Sequence, residues 1–94
     1  MSNPRTTTGA LTTSGQISAS HGIVFGFDLL PPASGTATLK LYDGTDNTGR
    51  LISTAEASSK GNSVHVNFPH SRPFQHGLYV ELVGTASYVV ALCP

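Results

Sequence analysis

Ninety-four residues with 11% charged side chains, five basic against five acidic, make a small neutral chain with room for one hydrophobic core, because at this length only about 60–65% of the unfolded surface can be buried. The cations Arg5, Lys40, Arg50, Lys60 and Arg72 stand singly along the sequence, unlike the clustered Lys and Arg of a phosphate-tracking surface, so no nucleic acid is expected as a partner. One cysteine, Cys93, allows no intrachain disulfide, and no apolar run approaches the roughly 20 residues of a membrane helix, so self-association is the expected source of extra stability and no membrane is an expected partner.

Residues 1–14 are Thr-rich with a single apolar patch, Ala10-Leu11, and read as an N-terminal arm or edge strand ahead of a β domain over residues 15–94. A short strand is predicted over residues 16–20, then a longer one over 22–30 with Ile23, Phe25, Phe27 and Leu29 on one face. Pro31-Pro32-Ala33-Ser34-Gly35 breaks it, since neither proline donates to a ladder and the glycine permits reversal. Residues 36–42 alternate strictly, with Ala37, Leu39 and Leu41 inward and Thr36, Thr38 and Lys40 outward, and run into a polar turn cluster that extends to Gly49. A weaker strand over 50–57 leads to the turn Ser58-Ser59-Lys60-Gly61-Asn62, and residues 63–68 alternate again. Pro69-His70-Ser71-Arg72-Pro73 reads as a proline-bounded loop. The last pair of strands, over 77–83 and 87–93, is joined through Gly84-Thr85-Ala86, and the final strand sets Val89 and Ala91 against Tyr88, Val90 and Leu92. A strand apolar on both faces is expected inside a closed sandwich or beneath another subunit. The whole reads as all-β: a single antiparallel β-sandwich or small jelly-roll or barrel of about seven or eight short strands. Alternation does not encode strand order, so sandwich and barrel both stand.

The loop Asp43-Gly44-Thr45-Asp46-Asn47-Thr48 carries two carboxylates with amide and hydroxyl oxygens, the donor type calcium needs. Asp, Asn and Gly equally suit a tight loop through backbone tolerance and side-chain capping, and that is the reading adopted, with no cofactor or metal expected. His65, His70 and His76 fall in one segment, but their places on a polar strand face and beside prolines point to solvated or interface histidines rather than zinc ligands. Asp28 and Glu81 lie in predicted strands where paired carboxylates would suit glycoside hydrolysis, with salt-bridge positions the default. No Gly-x-Ser-x-Gly elbow, phosphate-binding glycine loop or Asn-x-Ser/Thr acceptor occurs, and the N-terminus lacks the apolar stretch of a secretory signal, so a non-enzymatic protein made in a cytoplasm is expected. Tyr42, Tyr79 and Tyr88 fit a core or an interface, with a sugar-stacking face as the alternative.

The motifs also have an order: Gly22-Ile23-Val24-Phe25-Gly26; Gly35-Thr36-Ala37-Thr38-Leu39 with Leu41-Tyr42-Asp43-Gly44-Thr45; Phe68-Pro69; Phe74-Gln75-His76-Gly77-Leu78-Tyr79-Val80; and Gly84-Thr85 before Tyr88-Val89-Val90. In that order, over roughly residues 15–92, the chain resembles the small all-β virion proteins encoded among the structural genes of tailed bacteriophages. The resemblance implies a capsid decoration or cement protein, or a tail or fibre component, in a symmetric homo-oligomer, and carries no catalytic residue. A trimer that binds a major capsid protein or another virion protein is the form expected, since cement proteins gain most where capsomers meet. Thr6, Thr7, Thr8 and Leu11 are expected to anchor an arm, Tyr88, Val89 and Val90 to line a subunit interface, and Arg72 and His76 to make rim contacts. The alternative is a lectin-like module that binds host-surface glycan through the loops 43–47 and 69–73.

Overall fold

The computed structural model describes residues 6–93, apart from the side chain of Thr6. Eight strands are found among them: β1 (Thr6–Thr7), β2 (Gly15–Ser18), β3 (Gly22–Leu29), β4 (Thr36–Asp43), β5 (Arg50–Ser58), β6 (Val64–Phe74), β7 (Leu78–Val83) and β8 (Tyr88–Cys93). They form two four-stranded sheets, sheet A in the order β1-β8-β3-β6 and sheet B in the order β2-β7-β4-β5, and every pairing is antiparallel.

First pairs with last, second with seventh, third with sixth and fourth with fifth. The chain is therefore one long antiparallel ribbon rolled over itself, the jelly-roll form of a β-sandwich. The rolling sends the connections β2–β3, β4–β5 and β6–β7 to one end of the sandwich. The segment 8–14 and the connections β3–β4, β5–β6 and β7–β8 gather at the other, where Leu30 donates its N–H to the Ser87 carbonyl and Ser59 to that of Gly35 (2.9 Å each).

The core lies between the sheets. Val24, Phe27, Leu29, Tyr88 and Val90 of sheet A meet Leu39, Leu41, Leu78 and Val80 of sheet B, with Phe74 closing one end. Strand β4 behaves as its alternation predicts, with Ala37, Leu39 and Leu41 buried. Strand β3 does not. Opposite β8, Val24 pairs with Leu92 but Gly26 pairs with Ala91, so Phe25 is an inserted residue that flips the side-chain parity. Val24 is buried in place of Ile23 and Phe25, and Ile23 is exposed. The glycine at this bulge is required, since a Cβ on Gly26 would stand 2.2 Å from the Val66 carbonyl oxygen.

Residues 69–73, expected as a loop, belong to β6. This strand is the edge of sheet A, so the missing N–H of Pro69 and Pro73 breaks no second ladder. The register against β3 jumps from Gly26↔Asn67 to Val24↔Arg72 and lets residues 68–71 swing out of the ladder.

The segment 6–14 packs along its own sandwich. Thr8 donates its N–H to the Val90 carbonyl (2.9 Å) and accepts the Val90 N–H at Oγ1 (3.0 Å), while Leu11 and Tyr88 exchange two backbone bonds of 2.9 Å. Ser14 then accepts the Leu82 N–H (2.8 Å) as the chain crosses to sheet B. The N-terminal segment is thus an edge of the fold in the same chain.

Candidate functional site

The polar side chains with the most defined geometry collect at the end that carries β2–β3, β4–β5 and β6–β7. Asp43 continues the inward series Ala37, Leu39, Leu41 and ends buried at 7% exposure. Its Oδ1 accepts the backbone N–H groups of Gln75 (3.0 Å) and His76 (2.9 Å), and its Oδ2 accepts from Arg50 Nη2 at 3.5 Å. Burial pushes this carboxyl's pKa up, but the two amides and the Arg50 guanidinium outweigh it and hold the group below the ordinary 3.8. The loops close further through the Gly44 N–H, which donates to the Gly77 carbonyl (3.0 Å). Gly77 has φ +119°, and a Cβ there would come within 2.8 Å of the Ser18 carbonyl oxygen and 3.0 Å of that of Gly44. Only glycine allows this meeting of three loops.

Asp43 thereby fixes the start of β5. Arg50, its side chain 71% exposed, reaches out from the lock. Leu51 beside it is exposed, and Ile52 is the extra residue of a bulge, since Tyr42 pairs with Leu51 and Leu41 with Ser53. Facing them at the open edge of the sandwich is the end of β6. There the Arg72 guanidinium carbon lies 5.3 Å from the centroid of the Phe68 ring, a cation–π contact. Phe68 is itself packed against the core and tilted against Phe27, with centroids 6.3 Å apart. Arg50, Leu51, Ile52, Arg72 and Pro73 enclose an open cavity of about 200 Å³.

A second polar group lies on the outer face of sheet B. The hydroxyl of Tyr42 donates to Glu81 Oε1 (3.3 Å) and Asn47 Nδ2 donates to Glu81 Oε2 (3.1 Å). Desolvation first, then the Glu81 charge and hydrogen bond, raise the Tyr42 pKa. Register sets Gln16, Tyr79, Tyr42 and Leu51 in one row across the four strands of this face. Asp46 turns back on its own loop and accepts from the hydroxyl and N–H of Thr48, which lower its pKa.

On the outer face of sheet A, Asp28 and His65 are cross-strand partners and form an ion pair when the imidazole is protonated. Asp28 and Glu81 therefore stand on opposite outer faces of the sandwich, which rules them out as a catalytic pair. Among the described residues no three His, Cys, Asp or Glu side chains gather to hold a metal ion.

The residues singled out in the sequence do not gather in one place. Thr6 and Thr7 pair with Leu92 and Ala91, and Thr8 and Leu11 bond β8 as described. Tyr88 and Val90, expected at a subunit interface, have 0% exposure and are core residues. Sheet B covers the inner face of β8, and β1 and β3 flank the strand in its own sheet, so of the three Val89 alone turns to the outer face, where it is half-buried. Arg72 lines the edge cavity, and the exposed His76 is held by its backbone N–H on Asp43. Sequence reading missed Arg50, Leu51 and the pinning role of Asp43. The inward parity of Asp43 after Leu39 and Leu41 was the available signal for a buried acid. No protein-family model, no characterised protein and no solved structure matches the chain.

Proposed function

We propose that this chain is a non-enzymatic structural protein of a virion, made in the host cytoplasm, that decorates or cements the particle as a homo-oligomer, with a trimer in first place. The observation that carries this reading is the β5–β6 edge. There Leu51, at 51% exposure, and Ile52 sit on the open edge of sheet B and line one cavity with Arg50 and Arg72, an apolar patch beside arginine, a residue enriched at protein interfaces. The motif order of the sequence supports the viral setting. Jelly rolls recur in capsid and lectin domains, an analogy at the level of fold that leaves the surface to decide.

Light scattering at several concentrations tests it. The expected result is a closed multiple of the 9.8 kDa chain, reduced to monomer by Leu51→Asp with the β circular-dichroism spectrum unchanged. A wild-type protein that stays monomeric and does not co-sediment with capsids sinks the proposal.

The Gln16–Tyr79–Tyr42–Leu51 row favours a second reading, a lectin-like module that binds host-surface glycan. Two tyrosines side by side on an outer sheet face, next to the Glu81 carboxylate, offer ring faces and an acceptor to a sugar. Selective glycan-array binding by the wild type, lost in Tyr79→Ser at unchanged oligomer mass, would favour it over the first.

A further inference from the structure

We propose that the cavity between β5 and β6 binds a carboxylate carried on a short aliphatic stem, with Arg50 and Arg72 as its two cationic jaws. Arg50 and Arg72 both line one space of about 200 Å³, and none of the residues lining it is acidic. Arg50 already has the Asp43 carboxylate at 3.5 Å, so an anion in the cavity would give Arg50 a second carboxylate partner and Arg72 an attractive one.

Both arginines are held for the task. Arg72 lies over Phe68, so its rotamer is restrained by a ring that is itself packed against the core. Arg50 is tethered to Asp43 through one nitrogen at a long 3.5 Å, and Asp43 is fixed by the amides of Gln75 and His76. A guanidinium has five N–H donors in a planar fork, so most of the Arg50 donors remain for a planar carboxylate.

The remaining wall selects the ligand. Leu51, Ile52 and Pro73 are apolar, a poor lining for a fully hydrated inorganic anion and a good one for two to four carbons behind a carboxylate. The space is below the roughly 300 Å³ at which pockets for larger ligands begin. A glutamate side chain of a partner protein or a free small acid fits this description equally, and the test separates them. The cavity is formed by one chain and does not rest on the assembly proposed above, but it uses the same edge residues, so an occupant and a second subunit would compete for Leu51 and Ile52.

Isovalerate, inorganic phosphate and the peptide acetyl-Gly-Glu-Gly-amide are titrated separately into the full-length protein. The Leu51 and Ile52 methyl signals and the Arg72 Nε–H signal are followed by NMR. The expected result is a saturable shift of all three with isovalerate in the wild type, and, read from the two methyl signals, binding weakened about tenfold or more in Arg72→Gln and less in Arg72→Lys, which keeps the charge and loses the fork. Lys60→Gln, in the distant β5–β6 turn, should bind as wild type. Peptide binding at least as tight as that of isovalerate assigns the occupant to an acidic side chain; isovalerate binding alone assigns it to a free acid. No saturable shift, tighter binding of phosphate than of isovalerate, or unchanged binding by a folded Arg72→Gln would overturn the proposal. Oligomer mass measured on the same samples keeps this result separate from the assembly test.

Discussion

Replacing Tyr88 by alanine is expected to cost about 3–5 kcal/mol, the range for removing a large buried aromatic side chain. Against a total stability of about 5–15 kcal/mol for a domain, that brings the protein close to unfolding. The ring is fully buried between the sheets, at the point where β8 lies between β3 and the bridge from Leu11. Leu11 exchanges backbone hydrogen bonds with Tyr88, and the Tyr88 hydroxyl donates to the Thr13 carbonyl oxygen at 2.6 Å. One side chain thus fills the core and ties the N-terminal segment to it. Tyr88→Phe separates the two contributions: it keeps the ring and removes the donor, at an expected cost of about 1–1.5 kcal/mol. Urea unfolding of the three proteins measures both steps. A cost below about 1 kcal/mol for the alanine variant would mean that the ring is not part of the core, and would return Tyr88 to the subunit interface.

The reason Tyr88 looked like an interface residue in the sequence is instructive. A strand apolar on both faces does not say what covers each: in β8 the inner face, with Tyr88 and Val90, is buried against sheet B, while Val89 and Ala91 lie half-buried on the outer face. Local alternation was enough for β4, where every second residue from Ala37 to Asp43 points inward. It failed in β3 because parity there is decided by Phe25, an inserted residue that exists only relative to the register of β8. The prolines of β6 read as a loop because proline is costly in a two-sided ladder, and nothing local says that this strand has a neighbour on one side alone.

The edge cavity was illegible for a related reason. Arg50 and Arg72 stand on strands joined by a short turn, which reads as a hairpin, yet β5 and β6 enter different sheets. Their meeting is a product of the rolled ribbon as a whole. Asp43 is the exception among the polar residues, since the alternation that buries Leu39 and Leu41 also points it inward.

Asp43→Asn is expected to cost about 2–4 kcal/mol near neutral pH, because two charge-assisted bonds to the Gln75 and His76 amides are weakened and the Arg50 tether is lost. The amide is nearly isosteric, so the loss reports charge rather than packing. The same charge gives the fold a specific response to acid. The folded-state pKa of Asp43 lies below the ordinary 3.8, so its ionised form contributes stability that is fully present above the unfolded value. That contribution falls away as pH drops below about 4 and through the folded-state value, where the protonated carboxyl no longer holds the two amides as an anion. Urea unfolding at about pH 6 and at about pH 2.5 tests the sign: the wild type should lose more stability across this interval than Asp43→Asn. Asp46, whose pKa is also lowered, contributes to both proteins alike and cancels from the difference. Equal losses in the two proteins would show that the Asp43 carboxylate is not what closes the three loops. Larger loss in the wild type, together with weaker binding of isovalerate by Asp43→Asn than by wild type at about pH 6, would show that one buried acid both seals this end of the sandwich and presents Arg50 at its edge.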